Sequence, residues 1–269
     1  WLSSLSSTLD EANGKTVLFS AEDISAGEFR NATQRMYEYF ANWTEDINAV
    51  GYVRPPKSFC QSMFQQYLRG GTAARFIPGM VWPHYRARFQ KIDEIFGRDR
   101  TSLRVYDREN LIGGNLLSDF ASVIGFSPEY PVNDVHNKSL SLEAIALLYI
   151  QRRFGAGYVS GFHGAPAKNE EFISNLSRIG SQRMAFSDSM WKPIAESFKG
   201  DIAWIEERLG QRFSEGSEQS DAAINGEDDL IGIALASASE LTGLLNDHST
   251  PGPIDLPRLL GRVEELRVR

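Results

Sequence analysis

The 269-residue sequence has one cysteine, Cys60, so it can neither close an internal disulfide nor supply a multi-cysteine zinc site. That usage fits a reducing compartment, and a cytoplasmic protein is expected. No apolar run reaches the ~18 residues of a membrane helix. The longest candidate, 229-DLIGIALASASELTGLLN-246, is interrupted by Asp, Ser and Glu, so no integral membrane segment is expected. There is no block of five basic residues and the formal charge is −7, which argues against a nucleic-acid partner and leaves room for a local anion site. The four histidines, His84, His136, His163 and His248, lack metal-ligand spacing, so no metal is expected. Gly14-Lys15-Thr16 has Leu9 where a phosphate loop needs its first glycine, and it precedes a strand instead of following one. It reads as a turn. Ser20 has no Gly-x-Ser-x-Gly elbow around it, so a hydrolase triad has no support.

What is present is an ordinary globular composition, with 42% hydrophobic and 23% charged residues. Three short apolar runs, 16-TVLFS-20, 48-NAVGYV-53 and 102-SLRVY-106, read as buried strands. Helical spacing marks 28–43, 57–69, 84–97, 116–125, 139–154, 170–179 and 187–209, with a Gly-rich loop at 155–169. Alternating strands and helices predict an α/β fold, a three-layer arrangement with a mainly parallel sheet flanked by helices. Residues 1–213 are expected to form this domain, 214–228 an acidic polar linker, and 229–269 a C-terminal helical extension.

The most informative stretch is 50-VGYVRPPKSFCQSMFQQYL-68. A strand ends at Arg54, two prolines turn the chain, and Ser62 lies on the helix that Pro56 opens. Helical side chains lean towards the N-terminus, so this spacing predicts a Ser62 hydroxyl directed back at the Arg54 guanidinium. A planar donor fork, a hydroxyl and a helix N-terminus together suit a phosphate. The alternative for the same residues is an arginine paired with an acidic surface neighbour and a solvated serine.

This segment resembles the 3′-phosphate-binding segment of the sulfotransferases that use 3′-phosphoadenosine 5′-phosphosulfate (PAPS). Residues 85-YRARFQKIDEIFGRDRTSLRVYDRENL-111 and 119-DFASVIGF-126 are similar to the family's next helix, strand and helix, and 137-NKSLS-141 and 199-KGDIAWIEERLG-210 to segments of its bacterial carbohydrate-type members. The resemblance spans about residues 15–210 and implies a P-loop NTPase-like sulfotransferase fold. It implies Arg54 and Ser62 as the PAPS 3′-phosphate ligands, and a carbohydrate-type hydroxyl as the sulfuryl acceptor. It also implies an upstream strand and Lys-Thr-Gly loop for the 5′-phosphosulfate, which these residues do not contain. A fragment lacking that loop, inactive by itself, is therefore expected.

Glu22 follows the first apolar run and the resemblance implies it as the catalytic base, with Asp23 second. Open parallel sheets bind ligands at the C-terminal ends of their strands, where Glu22 and Arg54 are both expected. A solvated helix-capping acidic pair is the alternative. His163 is a further candidate for acceptor contact and Arg75, Arg86, Arg88 and Lys168 for lining an acidic acceptor's path, with solvated surface as the alternative for each, and the loops 70–84 and 155–169 are candidates for acceptor selection. Two other functions compete: a degenerate sulfotransferase-like binding module, and a nucleotide-sugar glycosyltransferase, for which the sequence offers no Asp-x-Asp pair.

Overall fold

The computed structural model describes residues 2–12, 14–21, 23–25, 31–71, 76, 81–107, 111–126, 139–158, 163–214, 222–245 and 254–268. The protein is mixed α/β and mostly helical. Its helices are α1 (Leu2–Ala12), α2 (Ala32–Phe40), α3 (Pro56–Arg69), α4 (Tyr85–Phe96), α5 (Leu116–Val123), α6 (Leu142–Phe154), α7 (Ala165–Leu176), α8 (Asp188–Ser197), α9 (Lys199–Leu209), α10 (Glu227–Ala236), α11 (Ala238–Leu244) and α12 (Leu256–Val268). The strands are β1 (Ala49–Val53), β2 (Thr101–Val105), β3 (Met184–Phe186) and β4 (Ala222–Ile224). They form two parallel pairs, β1 with β2 and β3 with β4. No helix among the described residues is long and apolar enough to cross a membrane.

The chain divides into two compact units that interleave along the sequence. Unit 1 comprises residues 1–54, 83–116 and 199–213; unit 2 comprises 55–82, 117–198 and 214–269. Strand β4 lies within 214–228, and α10 to α12 lie within the C-terminal segment of unit 2.

In unit 1, β1 and β2 pair in register from Ala49 opposite Thr101 to Val53 opposite Val105. Helix α4 packs on α2, α9 and β2. It ends at Gly97, where φ of +89° is a conformation that glycine adopts without a Cβ clash. At its other end His84 has a left-handed backbone, φ 50°, and cannot cap the helix with its side chain. Asp201 of α9 supplies the cap, accepting from the backbone N–H of Tyr85 at 2.9 Å and of Arg86 at 2.8 Å.

The run 16–20 differs from expectation. It is extended but carries no ladder, and Val17, Leu18 and Phe19 are exposed. A strand is stable only when a neighbour takes its backbone hydrogen bonds. Among the described residues none does; Phe19 instead sets its ring edge-on against Phe40, with centroids 5.5 Å apart. Residues 14–15, by contrast, form the expected turn, with Gly14 at φ +80° and Lys15 N–H bonded to the Ala12 carbonyl.

Unit 2 is built around α6. Residues Leu142 and Ala144–Arg152 of this helix are buried, and α3, α7, α10 and α12 pack against it. A helix apolar on all sides belongs in a core. Ser141 caps it by accepting from the Ala144 N–H at 3.1 Å. The segment 187–209, expected as one helix, is two: Phe198 leaves helical geometry at φ −115°, ψ 17°. Its ring stacks on Trp82 with centroids 4.3 Å apart, and the next residue, Lys199, already belongs to unit 1.

Candidate functional site

Strand β1 delivers Arg54 at its C-terminal end, one residue beyond the ladder. Parallel register explains what Arg54 meets: Val53 lies opposite Val105, so the next residues, Arg54 and Tyr106, fall side by side. The Tyr106 N–H bonds to the Val53 carbonyl at 2.8 Å, carrying the ladder one step further. The Arg54 guanidinium lies over the Tyr106 ring, 5.0 Å from its centroid. The Arg54 backbone is fixed as well, since the buried Tyr85 hydroxyl donates to its carbonyl at 2.5 Å.

The guanidinium forms no ion pair and no hydrogen bond among the described residues. Among the described residues, the surface ion pair that competed with the anion reading is not formed. The guanidinium N–H donors thus have no partner among the described residues, and a free guanidinium fork can receive a bidentate anion.

Ser62 lies in α3, half-buried, and its hydroxyl likewise has no partner among the described residues. Helix α3 begins as expected, with Pro56 in its first turn and the Phe59 N–H bonded to the Pro55 carbonyl at 2.8 Å. Arg54 is the last residue of this segment in unit 1, and Ser62 belongs to unit 2.

Protein-family models, curated proteins and solved structures give no significant match to this chain. The case for function therefore rests on the residues themselves. Glu22 and Arg75 lie outside the described residues; Asp23 opens a 3-10 turn, Asp23–Ser25. His84, Arg86, His163 and Lys168 are exposed, Arg86 bonding through Nε to Gln90. Among the described residues, no three His, Cys, Asp or Glu side chains gather as metal ligands.

Sequence reasoning overlooked Tyr106 and Tyr85. The signal for Tyr106 was available: aligning 49–53 with 101–105 as parallel neighbours and extending by one residue sets it beside Arg54. Tyr85 carries no such signal, because its hydroxyl reaches Arg54 across 31 residues of sequence.

Proposed function

We propose that this chain is a PAPS-dependent sulfotransferase domain of the P-loop NTPase-like type, acting on a hydroxyl of a carbohydrate-type acceptor. The observation that carries the reading is the Arg54 guanidinium, unpaired among the described residues, at the C-terminal end of a parallel strand, lying over Tyr106 and anchored through its backbone by Tyr85. Such strand ends are where open α/β sheets hold nucleotides. The ordered resemblance over residues 15–210 supplies the nucleotide's identity.

In this reading Arg54 binds the 3′-phosphate of the donor through its donor fork; Ser62 as a second ligand is what the resemblance implies. The acceptor oxygen attacks sulfur, the bond from sulfur to the bridging phosphate oxygen breaks, and the acceptor proton passes to Glu22. Catalysis of this kind is mostly positioning and electrostatic stabilisation of the peripheral oxygens, by analogy with phosphoryl transfer. General-base help contributes roughly 10² to 10⁴ in rate. The sequence contains no Lys-Thr-Gly loop, so donor-product binding is the cleaner measurement.

Isothermal titration with adenosine 3′,5′-bisphosphate tests it. Losing a charge-assisted contact, about 1.5 to 3 kcal/mol, lowers affinity roughly 10- to 100-fold in Arg54→Ala. Arg54→Lys recovers only part, because an ammonium cannot reproduce the fork. Equal affinity in wild type and Arg54→Ala overturns the proposal.

A further inference from the structure

Unit 2 carries an open polar cleft of about 530 Å3, lined among others by Gln66, Arg69, Tyr158, Asn169 and Glu170. Tyr158 and Asn169 come from the segment around 155–169, and Arg69 closes α3 just before the 70–84 segment.

The cleft's lining is tied to a buried arginine behind it. Arg152 is buried, 7% exposed, and each of its guanidinium nitrogens donates: Nε to the Leu68 carbonyl, Nη1 to Gln151 Oε1 and Nη2 to Asn169 Oδ1. Asn169 in turn donates through Nδ2 to the Arg69 carbonyl at 3.0 Å, so both ends of its amide are assigned. Tyr158 is held by Arg152, 5.8 Å from its ring centroid, and by the backbone at Gly71. A Cβ built at Gly71 would come within 2.1 Å of the Tyr158 Cβ, so that backbone sits directly against the tyrosine. Glu264 of α12 fixes the approach to Tyr158, accepting from the Ala156 N–H at 2.8 Å and from Gln151 at 3.0 Å.

The rim is unengaged. The side chains of Gln66, Arg69 and Glu170 make no hydrogen bond among the described residues. Arg69 and Glu170 stand 3.8 Å apart, close enough to neutralise one another and too far to use up each other's donors and lone pairs. The rim thus offers amide, guanidinium and carboxylate groups of no net charge beside an aromatic ring.

We infer that this cleft binds a neutral saccharide. Vicinal hydroxyls donate and accept at once, as a mixed rim of Gln66, Arg69 and Glu170 requires, and the C–H face of a pyranose matches the electron-rich face of Tyr158. Phosphate or sulfate gains little, because Glu170 beside Arg69 offsets the cation's attraction. The inference goes beyond the proposed function by assigning a ligand class to this cleft, and only what is done to the bound sugar rests on that reading.

The test is an array displaying neutral, sulfated and phosphorylated oligosaccharides, probed with the full chain. Neutral glycans are expected to bind, with at least tenfold weaker binding for Gln66→Ala and for Tyr158→Ala. Gln66 is exposed and its substitution leaves the core untouched, so this variant decides the matter even where Tyr158→Ala fails to fold. No bound glycan, binding confined to charged glycans, or equal binding by Gln66→Ala and wild type overturns the inference. Bisphosphate titration of the same variants reads the Arg54 site separately, so either assignment can fail while the other stands.

Discussion

Arg208 of α9 grips Asp93 of α4 in a bidentate pair, Nε to Oδ2 at 2.6 Å and Nη2 to Oδ1 at 2.7 Å, and the same Nη2 donates to the Thr101 carbonyl at 2.8 Å. One guanidinium thereby joins two helices to the first residue of β2. Both side chains are largely buried, 11% and 14% exposed, and the pairing holds the Arg208 pKa above its ordinary value through the Asp93 hydrogen bond.

Breaking this pair strands a buried charge. Asp93→Ala and Arg208→Ala are each expected to lose about 3 to 5 kcal/mol of stability, whereas the double substitution Asp93→Leu with Arg208→Met recovers much of it. Urea unfolding followed by tryptophan fluorescence measures both. Single variants with wild-type midpoints would show that the pair contributes nothing.

The ring beneath Arg54 has a measurable part in the proposed site. Tyr106→Leu removes the stacking surface, worth about 0.5 to 1 kcal/mol at an accessible site, and should weaken bisphosphate binding about two- to fivefold. Tyr106→Phe, which keeps the ring, should bind as wild type does. A Leu variant indistinguishable from the Phe variant in calorimetry contradicts the positioning role.

Acid should loosen unit 2 through Glu264. Burial by itself raises its pKa, but hydrogen bonds from Arg267, the Ala156 N–H and Gln151 outweigh burial and leave it below the ordinary value of 4.5. A group depressed in the folded state contributes stability above its unfolded pKa, and that contribution disappears as pH falls from about 4.5 through the lower folded value. Thermal melts between pH 7 and 3 should therefore show a decline in wild type that is shallower in Glu264→Gln. Parallel pH profiles for the two proteins refute the linkage.

Cys60 should be inert in the native state. It is fully buried, its thiol directed at the Val81 carbonyl at 3.8 Å, and burial pushes its pKa up to about 12. Almost no thiolate exists at pH 8, so Ellman's reagent should label the thiol only after denaturation. Rapid labelling of folded protein at that pH would contradict the burial.

Sequence patterns located elements best where the cause is local. Pro56 opens α3, Gly97 closes α4, and the spacing of Tyr85, Ile92 and Phe96 places the buried side of α4, because each signal acts within a turn or two of helix. Arg54 at a strand end was legible for the same reason. The run 16–20 misled: apolar, β-branched residues announce strand preference, but only a hydrogen-bonding neighbour makes a sheet. The 187–209 segment misled in the other direction, since periodicity continues across Phe198 while the backbone does not. The tail beyond 214 offered no function, yet Leu259, Val263 and Leu266 bury one side of α12, and Glu264 reaches the loop before Tyr158.

By itself the sequence determined the bounds of α3, α4, α5 and α6 to within a few residues, that 48–53 and 102–106 are strands, and that an arginine closes the first of them. Tertiary structure decided the rest: that Arg54 lies over Tyr106, that Asp201 and Arg208 serve α4 from more than a hundred residues away, and that buried Arg152 holds Asn169 in the lining of one cleft. Local preferences are set by steric and capping forces within a few residues. Which distant donor meets which acceptor depends on how the whole chain packs, and no short stretch of sequence contains that information.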